Sequence, residues 1–219
     1  TNMADDMALY TLYWTIHFQR LFSTYRKQQA QAQWARYPTP LAPNFNVTLL
    51  GLGAIGSHIA KRLSDNGFKV TGWSRSAKTI EGVNSIHGQE ALQAALQGTD
   101  VLISCLPYTK TTFEFLDLSI LSSLKKGAAL INISRGAVIN EVDLLTLLDS
   151  GHIGGVALDV FHTEPLPKSS PFWTHPKVHV TPHMSGATNP DTAMQIIARD
   201  IADFEKGIMP PYPYKREVA

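Results

Sequence analysis

The feature that most constrains this chain is a run of glycines at fixed spacing, Gly51-Leu-Gly53-Ala-Ile-Gly56. It follows a short apolar stretch, Asn46–Leu50, that reads as a strand, and it opens a stretch over residues 55–66 that reads as a helix. In that setting each glycine has a physical task. Gly51 permits a tight turn, Gly53 lets the backbone approach a pyrophosphate, and Gly56 lets the helix pack closely on the strand. The start of the helix, with Ala54 and Ile55, offers free N–H groups and a favourable dipole to phosphate. A glycine triplet alone is weak evidence. Here, however, strand, turn, helix and a second strand over 69–73 stand in the order a dinucleotide-binding unit needs.

The alternation continues. Residues 89–97 read as a helix before a strand over 100–105, and strands over 128–133, 154–158 and 178–181 follow. A helix over 140–150 separates the first two of these, and a helix over 188–206 closes the pattern. The strands are continuous apolar runs rather than period-two ones, the pattern of a parallel sheet covered on both faces. The expected fold class is α/β, a doubly wound parallel sheet of the Rossmann type with a long N-terminal helix. With 219 residues, 44% apolar and 17% charged, the chain can bury such a core. A net charge of +1 lacks the basic footprint of a nucleic-acid binder. The single Cys105 excludes an intrachain disulfide and fits a reducing, cytoplasmic setting.

Ahead of the first strand, Met7, Tyr10, Trp14, Phe18, Leu21 and Tyr25 recur at helical spacing and place an apolar-aromatic stripe on one helix over residues 2–31. Its apolar part, 7–18, follows Asp5 and Asp6, is interrupted by Thr11, Thr15 and His17, and is too short to cross a membrane. The stripe packs on the chain's own core or forms a partner surface, and the residues alone leave both readings open. Pro38, Pro40 and Pro43 mark a linker over 32–45. A dinucleotide-binding unit over 46–186, a closing helix within 187–207 and an extended tail over 208–219 complete the expected organisation.

The end of the second strand discriminates between nicotinamide cofactors. An NAD site carries Asp or Glu there, whereas this chain reads Gly72-Trp73-Ser74-Arg75-Ser76, with Lys78 close behind. Arg75 can hold a 2′-phosphate with its planar fork, Ser74 or Ser76 can donate to it, and Lys78 adds charge. The expected cofactor is NADP, with NAD the less favoured choice. Downstream, Arg135, Asp159, Glu164 and His183 fall at or just beyond the C-terminal ends of expected strands, the edge where open parallel sheets bind ligands. Singly, these read as a surface ion pair, a turn cap, a loop charge and a structural histidine. Together they supply what carbonyl reduction needs: a cation for an acid substrate, a proton donor, a carboxylate to tune it and an acceptor near the nicotinamide. No Cys or His cluster has metal-ligand spacing, so no metal is expected. Cys105 reads as a small buried residue rather than a nucleophile.

The glycine fingerprint together with INISRGAVINEVDLL, GGVALDVFHTEPLP and HPKVHVTPHMSGAT resembles the D-isomer-specific 2-hydroxyacid dehydrogenases. The Trp-Ser-Arg stretch and the HTEPLP and TPH segments narrow the likeness to bacterial glyoxylate/hydroxypyruvate reductases, over essentially all of residues 1 to 207. The resemblance implies that Arg135 binds the substrate carboxylate and helps polarise its keto oxygen. It implies that His183 protonates that oxygen as hydride arrives, and that Glu164 hydrogen-bonds the histidine. Asp159 matches the residue that holds the carboxamide side of the cofactor. Leu106-Pro107, with Thr109 and Thr112, matches the loop over the adenosine half, and Ile133, Ser134 and Ser185 fall among the implied cofactor contacts. A carboxylate beside His183 favours the imidazolium that a reductase needs before it donates.

Members of the resembled family begin with a flavodoxin-like substrate domain of about 100 residues, a usual size for one domain. This chain is expected to lack most of it. The helix over 2–31 resembles the family's interdomain helix and dimer arm, which implies a homodimer. Two functions follow. One is an NADPH-dependent reductase of glyoxylate, hydroxypyruvate or a similar 2-keto acid. The other is a dinucleotide-binding module or sensor without turnover. Arg135, Glu164 and His183 favour the first, since a sensor needs none of the three together.

Overall fold

A computed structural model of the chain describes residues 3–186 and 190–209. The first strand is β1 (Asn46–Leu50), in which every residue after the first is buried. Six further strands extend the sheet: β2 (Lys69–Ser74), β3 (Asn84–His87), β4 (Val101–Ser104), β5 (Ala128–Asn132), β6 (Ile153–Leu158) and β7 (Val178–Val180). The order is β3-β2-β1-β4-β5-β6-β7, and every pair is parallel. The chain reverses direction across the sheet between β1 and β4, the switch point where doubly wound sheets bind ligands.

The two faces bury separate cores because successive strand residues point opposite ways. Val47 and Leu49 of β1, Val101 and Ile103 of β4, and Ala129 and Ile131 of β5 share one core with Ile59, Ala60 and Leu63 of α3 (Ala54–Asp65). Leu50, Leu102 and Leu130 face the other core. There they meet α4 (Gln89–Leu96), the short α5 (Leu118–Ser122) and α6 (Glu141–Asp149). Asn140 caps α6 by accepting from the Asp143 N–H, and Asp117 caps α5 by accepting from the Ile120 N–H at 2.9 Å. The expected strands and helices from residue 46 to 158 are present within a residue or two. A strand, β3, and a short helix, α5, were not expected, nor was the 3-10 turn Gly136–Val138. β3 is a half-buried edge strand of polar sequence, set by its pairing to β2, and α5 is a single capped turn or so.

The N-terminal segment departs from expectation. Instead of one helix over 2–31 there are two, α1 (Met3–Gln19) and α2 (Phe22–Ala30), separated at Leu21, whose φ of 57° is left-handed. No glycine or proline marks this break. It lets Ser23 turn back onto His17, Oγ to Nε2 at 2.8 Å, while the Gln19 amide donates to the Pro40 carbonyl at 2.9 Å. The aromatic stripe serves the chain's own core: Met7, Ala8 and Trp14 are buried with α3 and the sheet, and Tyr10, Leu12, Ile16 and Phe18 pack against them. Leu9, Tyr13 and Phe22 stay exposed, and beyond them Trp34 is 99% exposed. Within the expected linker, Ala42–Asn44 forms a short 3-10 turn. α7 (Pro190–Glu205) closes the described chain with Met194, Ile197 and Ile201 exposed; Thr188 of the expected helix and residues 210–219 of the expected tail lie outside the described residues. Among the described residues no helix is long and apolar enough to cross a membrane.

The glycines decide how closely the layers approach. A Cβ on Gly56 would stand 1.8 Å from the Gly51 carbonyl oxygen, and one on Gly136 would stand 1.8 Å from the Phe161 carbonyl carbon. A Cβ on Gly53 meets nothing within 4 Å. Gly56→Ala and Gly136→Ala are therefore each expected to cost about 1–3 kcal/mol or more through forced backbone shifts. Gly53→Ala should stay within about 0.5 kcal/mol of the parent. Thermal unfolding of the three variants checks this ranking, and equal melting temperatures would contradict it.

Candidate active site

Parallel pairing brings every strand's C-terminal end to one edge, and backbone hydrogen bonds continue past the strands there. The Gly51 N–H donates to Trp73 O at 2.8 Å, Cys105 to Leu50 O at 2.9 Å, Asp159 to Asn132 O at 3.1 Å and His183 to Asp159 O at 2.8 Å. The segments carrying the glycine turn, Cys105–Leu106, Asp159 and His183 thus form one connected rim.

On the β1 side, Gly51 holds a φ of +99°, open to glycine and strained for other residues. Its Cβ position lies 2.6 Å from the Cys105 carbonyl oxygen, so the turn presses directly on the end of β4. Gly53 and Ala54 are exposed and Ile55 half-buried at the start of α3, where the leading N–H groups of a helix have no carbonyl partner within it. An anion can be held there without displacing any atom of the chain, since the space over Gly53 is open.

At the end of β2, Arg75, Ser76 and Lys78 are exposed. Among the described residues, Arg75 makes no hydrogen bond or ion pair, which leaves its fork free for a phosphate. Ser74 behaves differently from the expectation that it could donate to a phosphate. It is buried, and its hydroxyl donates to the Ser76 carbonyl at 2.7 Å, so it shapes the turn that presents Arg75 and Ser76. Trp73 stacks on Phe115 with centroids 5.6 Å apart and donates its indole N–H to Gly88 O at 2.9 Å.

Past β4, Leu106 is buried and Pro107 exposed. Thr112 closes this loop: its hydroxyl donates to Pro107 O at 2.6 Å and accepts from the Thr109 N–H at 2.8 Å. Burial pushes the Cys105 thiol up to about 11, which suits a packed thiol rather than a nucleophile. Past β5, Ile133 and Ser134 are buried, and the Ser134 hydroxyl donates to Asn132 Oδ1 at 2.7 Å beside Ser104 Oγ at 2.9 Å. Asn132 in turn donates to Arg135 O at 3.2 Å. These buried groups hold the backbone from which Arg135, itself exposed, projects.

His183 and Glu164 meet as the resemblance implied. His183 Nδ1 lies 2.7 Å from Glu164 Oε2, and Glu164 Oε1 accepts from the Phe161 N–H at 2.9 Å. The histidine side chain is 50% exposed, so the ring reaches open space while its inner nitrogen is held. Burial alone would raise the Glu164 carboxyl, but the hydrogen bonds from His183 and Phe161 and the charge on His183 outweigh it and hold it below its ordinary value.

Asp159 does something the sequence did not disclose. It is fully buried, and its carboxylate accepts from the Thr181 hydroxyl at 2.5 Å, the Met184 N–H at 2.9 Å and the Ser185 N–H at 2.8 Å. Where the resemblance implied a contact to the cofactor, the structure engages both oxygens in holding the loop of His183. That loop needs holding, because His183 has a φ of 53°, uncommon for a residue with a side chain. Ser185 is likewise buried in this arrangement rather than presented to a ligand. The contributions of Thr181, Asn132 and Ser104 were missed; their only sequence signal is a polar residue at the end of an apolar strand.

Comparison with known proteins identifies the family. Residues 12–185 match the family model described as D-isomer specific 2-hydroxyacid dehydrogenase, NAD binding domain. A glyoxylate/hydroxypyruvate reductase A of Photorhabdus laumondii is 43% identical over 206 residues, covering 94% of this chain and 66% of that protein. The chain thus spans about two thirds of the length of the curated relatives it matches. A D-isomer specific 2-hydroxyacid dehydrogenase from Xanthobacter autotrophicus, solved with NADPH, superposes with a TM-score of 0.90 at 38% identity over 94% of this chain and 85% of its own. An NADPH-dependent glyoxylate/hydroxypyruvate reductase from Sinorhizobium meliloti, solved with NADP and sulfate, gives 0.91 at 33% identity, covering 94% of this chain and 67% of its own. By sequence and by fold, the chain belongs to the D-isomer specific 2-hydroxyacid dehydrogenase family.

Proposed function

We propose that this chain is the cofactor-binding and proton-donating part of an NADPH-dependent reductase that converts a small 2-keto acid, such as glyoxylate or hydroxypyruvate, to the 2-hydroxy acid. The observation that carries the reading is the His183–Glu164 pair: a half-exposed imidazole held at 2.7 Å by a carboxylate on the rim that also bears the glycine turn and Arg135. Arg135 binds the substrate carboxylate by charge and orients the keto oxygen. His183, held through Nδ1, gives its outer proton to that oxygen as the carbonyl is reduced. Bound NADPH supplies the hydride. Glu164 orients the ring through its contact with Nδ1. In this reading Gly51, Gly53, Ala54, Ile55 and Gly56 cradle the pyrophosphate, Arg75 and Ser76 read the 2′-phosphate, and Pro107 and Thr112 border the adenosine half. Loss of absorbance at the nicotinamide band, with NADPH and NADH in turn against both keto acids, tests it. Cofactor binding without turnover would support the module reading instead.

The related proteins solved with NADPH or NADP support the cofactor choice, as does Arg75, which has no partner among the described residues. Arg75→Ala is expected to raise KM for NADPH about tenfold or more, the loss of a charge-assisted hydrogen bond, while leaving KM for NADH nearly unchanged. An equal effect on both cofactors would count against Arg75 as the phosphate reader.

The Glu164 carboxyl lies below its ordinary value, so its ionised form is complete above that value and is lost only as pH falls through the lowered one. Across neutral pH the pair therefore keeps its negative member. Glu164→Gln leaves an acceptor for the Phe161 N–H but removes the charge beside His183. Turnover by the variant is expected to fall, with the deficit fading as pH drops through the lowered Glu164 value, where the parent loses its charge as well. Parallel pH–rate profiles would refute this role.

A homodimer and a cytoplasmic setting belong to the same proposal. Exposed Leu9, Tyr13, Phe22 and Trp34 give the N-terminal segment the apolar surface a second copy would cover. Light scattering at micromolar concentration is expected to give twice the chain mass; a monomeric mass would argue against it.

A further inference from the structure

α1 touches the strand that leads to His183 at two points. Within β7, the His179 ring packs on Trp14 with centroids 4.8 Å apart and on His17 at 4.7 Å. The Ser23 hydroxyl sits between the two histidines, 2.8 Å from His17 Nε2 and 3.1 Å from His179 Nε2. Burial draws both rings below the usual histidine range, His179 to about 4, so they pack as neutral aromatic neighbours. Just past β7, the Tyr10 hydroxyl lies 2.7 Å from Thr181 Oγ1, and Thr181 Oγ1 lies 2.5 Å from Asp159 Oδ1.

The direction of this chain of hydrogen bonds follows from what each group can do. A carboxylate only accepts, so the Thr181 proton goes to Asp159, and Tyr10 must donate to Thr181. Burial pushes the Tyr10 phenol up to about 12, so it keeps that proton. The carboxylate that accepts from Thr181 also accepts from the N–H groups of Met184 and Ser185, on the C-terminal side of the left-handed His183. At the far end of the loop, Gly186 presses on α1, its Cβ position lying 2.8 Å from Met7 Cγ. The turn bearing His183 is thus enclosed between Thr181 and Gly186, and α1 reaches both.

We propose that Tyr10 is a positioning residue for His183, acting through Thr181 and Asp159, so that the helix preceding the glycine turn sets the geometry of the proton donor. This rests on the reading of His183 as that donor. Tyr10 touches no reacting atom. Its hydroxyl donates to Thr181 and keeps the Thr181 proton directed at Asp159, which fixes the carboxylate against the loop N–H groups.

The test uses Tyr10→Phe, Thr181→Val and Thr181→Ser in the intact protein, with two readouts. The first is amide hydrogen exchange at 183–185 relative to β1 and β4. The second is kcat and KM for hydroxypyruvate with NADPH. Tyr10→Phe and Thr181→Val are expected to speed exchange at 183–185 selectively and to lower kcat about three- to tenfold, the worth of one hydrogen bond, with KM for NADPH unchanged. Thr181→Ser keeps the hydroxyl and should restore most of what Thr181→Val loses. Exchange at 183–185 that is unchanged, or that rises equally in every strand, overturns the proposal, as does selective loosening with kcat unaltered. If the parent itself reduces neither keto acid, the functional reading fails, and exchange at 183–185 alone then decides whether Tyr10 positions the loop.

Discussion

A carboxylate removed from water must find its hydrogen bonds within the protein, and the fully buried Asp159 finds them in the loop that follows β7. That requirement organises the site. Thr181, Met184 and Ser185 converge on one side chain at the end of β6, and His183 is held between them in a backbone conformation it would not adopt alone. The outer face of the ring stays open while its inner nitrogen meets Glu164. Rigid support beneath an exposed imidazole is what the proton donation proposed for His183 requires.

The same separation of frame from working surface recurs along the rim. Ser104, Asn132 and Ser134 are buried and bond to one another, while Arg135 projects from the backbone they fix. Ser74 closes the turn after β2 and leaves Arg75 and Ser76 exposed. Gly51 and Gly56 bring turn, helix and the end of β4 into contact, while Gly53 faces open space. At each position a buried polar or side-chain-free residue sets the backbone and a neighbour is left exposed at the rim.

Helix α1 belongs to this frame rather than standing apart from it. Its buried side shares a core with α3 and with strands β1, β2, β4, β5 and β6, and Tyr10 connects that side to the His183 loop. Its other side, with Leu9 and Tyr13, remains exposed. One helix can therefore serve the domain's own packing and still present apolar surface, which is why the stripe read along the sequence answered to both descriptions.

Strands β1, β2, β4, β5 and β6, helices α3, α4 and α6, the glycine turn and the placing of Arg75, Arg135, Glu164 and His183 near strand ends were legible in the sequence, because periodicity, glycine spacing and residue type are local properties of the chain. The polar edge strand β3 was not, since only pairing with β2 makes residues 84–87 a strand. The break at Leu21 was not either, because it carries no local marker and is accompanied by contacts of Gln19 with Pro40 and of Ser23 with His17 and His179. The hydrogen-bond partners of Ser74, Asp159 and Tyr10 were decided by tertiary structure alone. A hydroxyl or carboxylate read along the chain shows only that it can form a hydrogen bond, whereas its partner is fixed by which segments folding brings within about 3 Å of it.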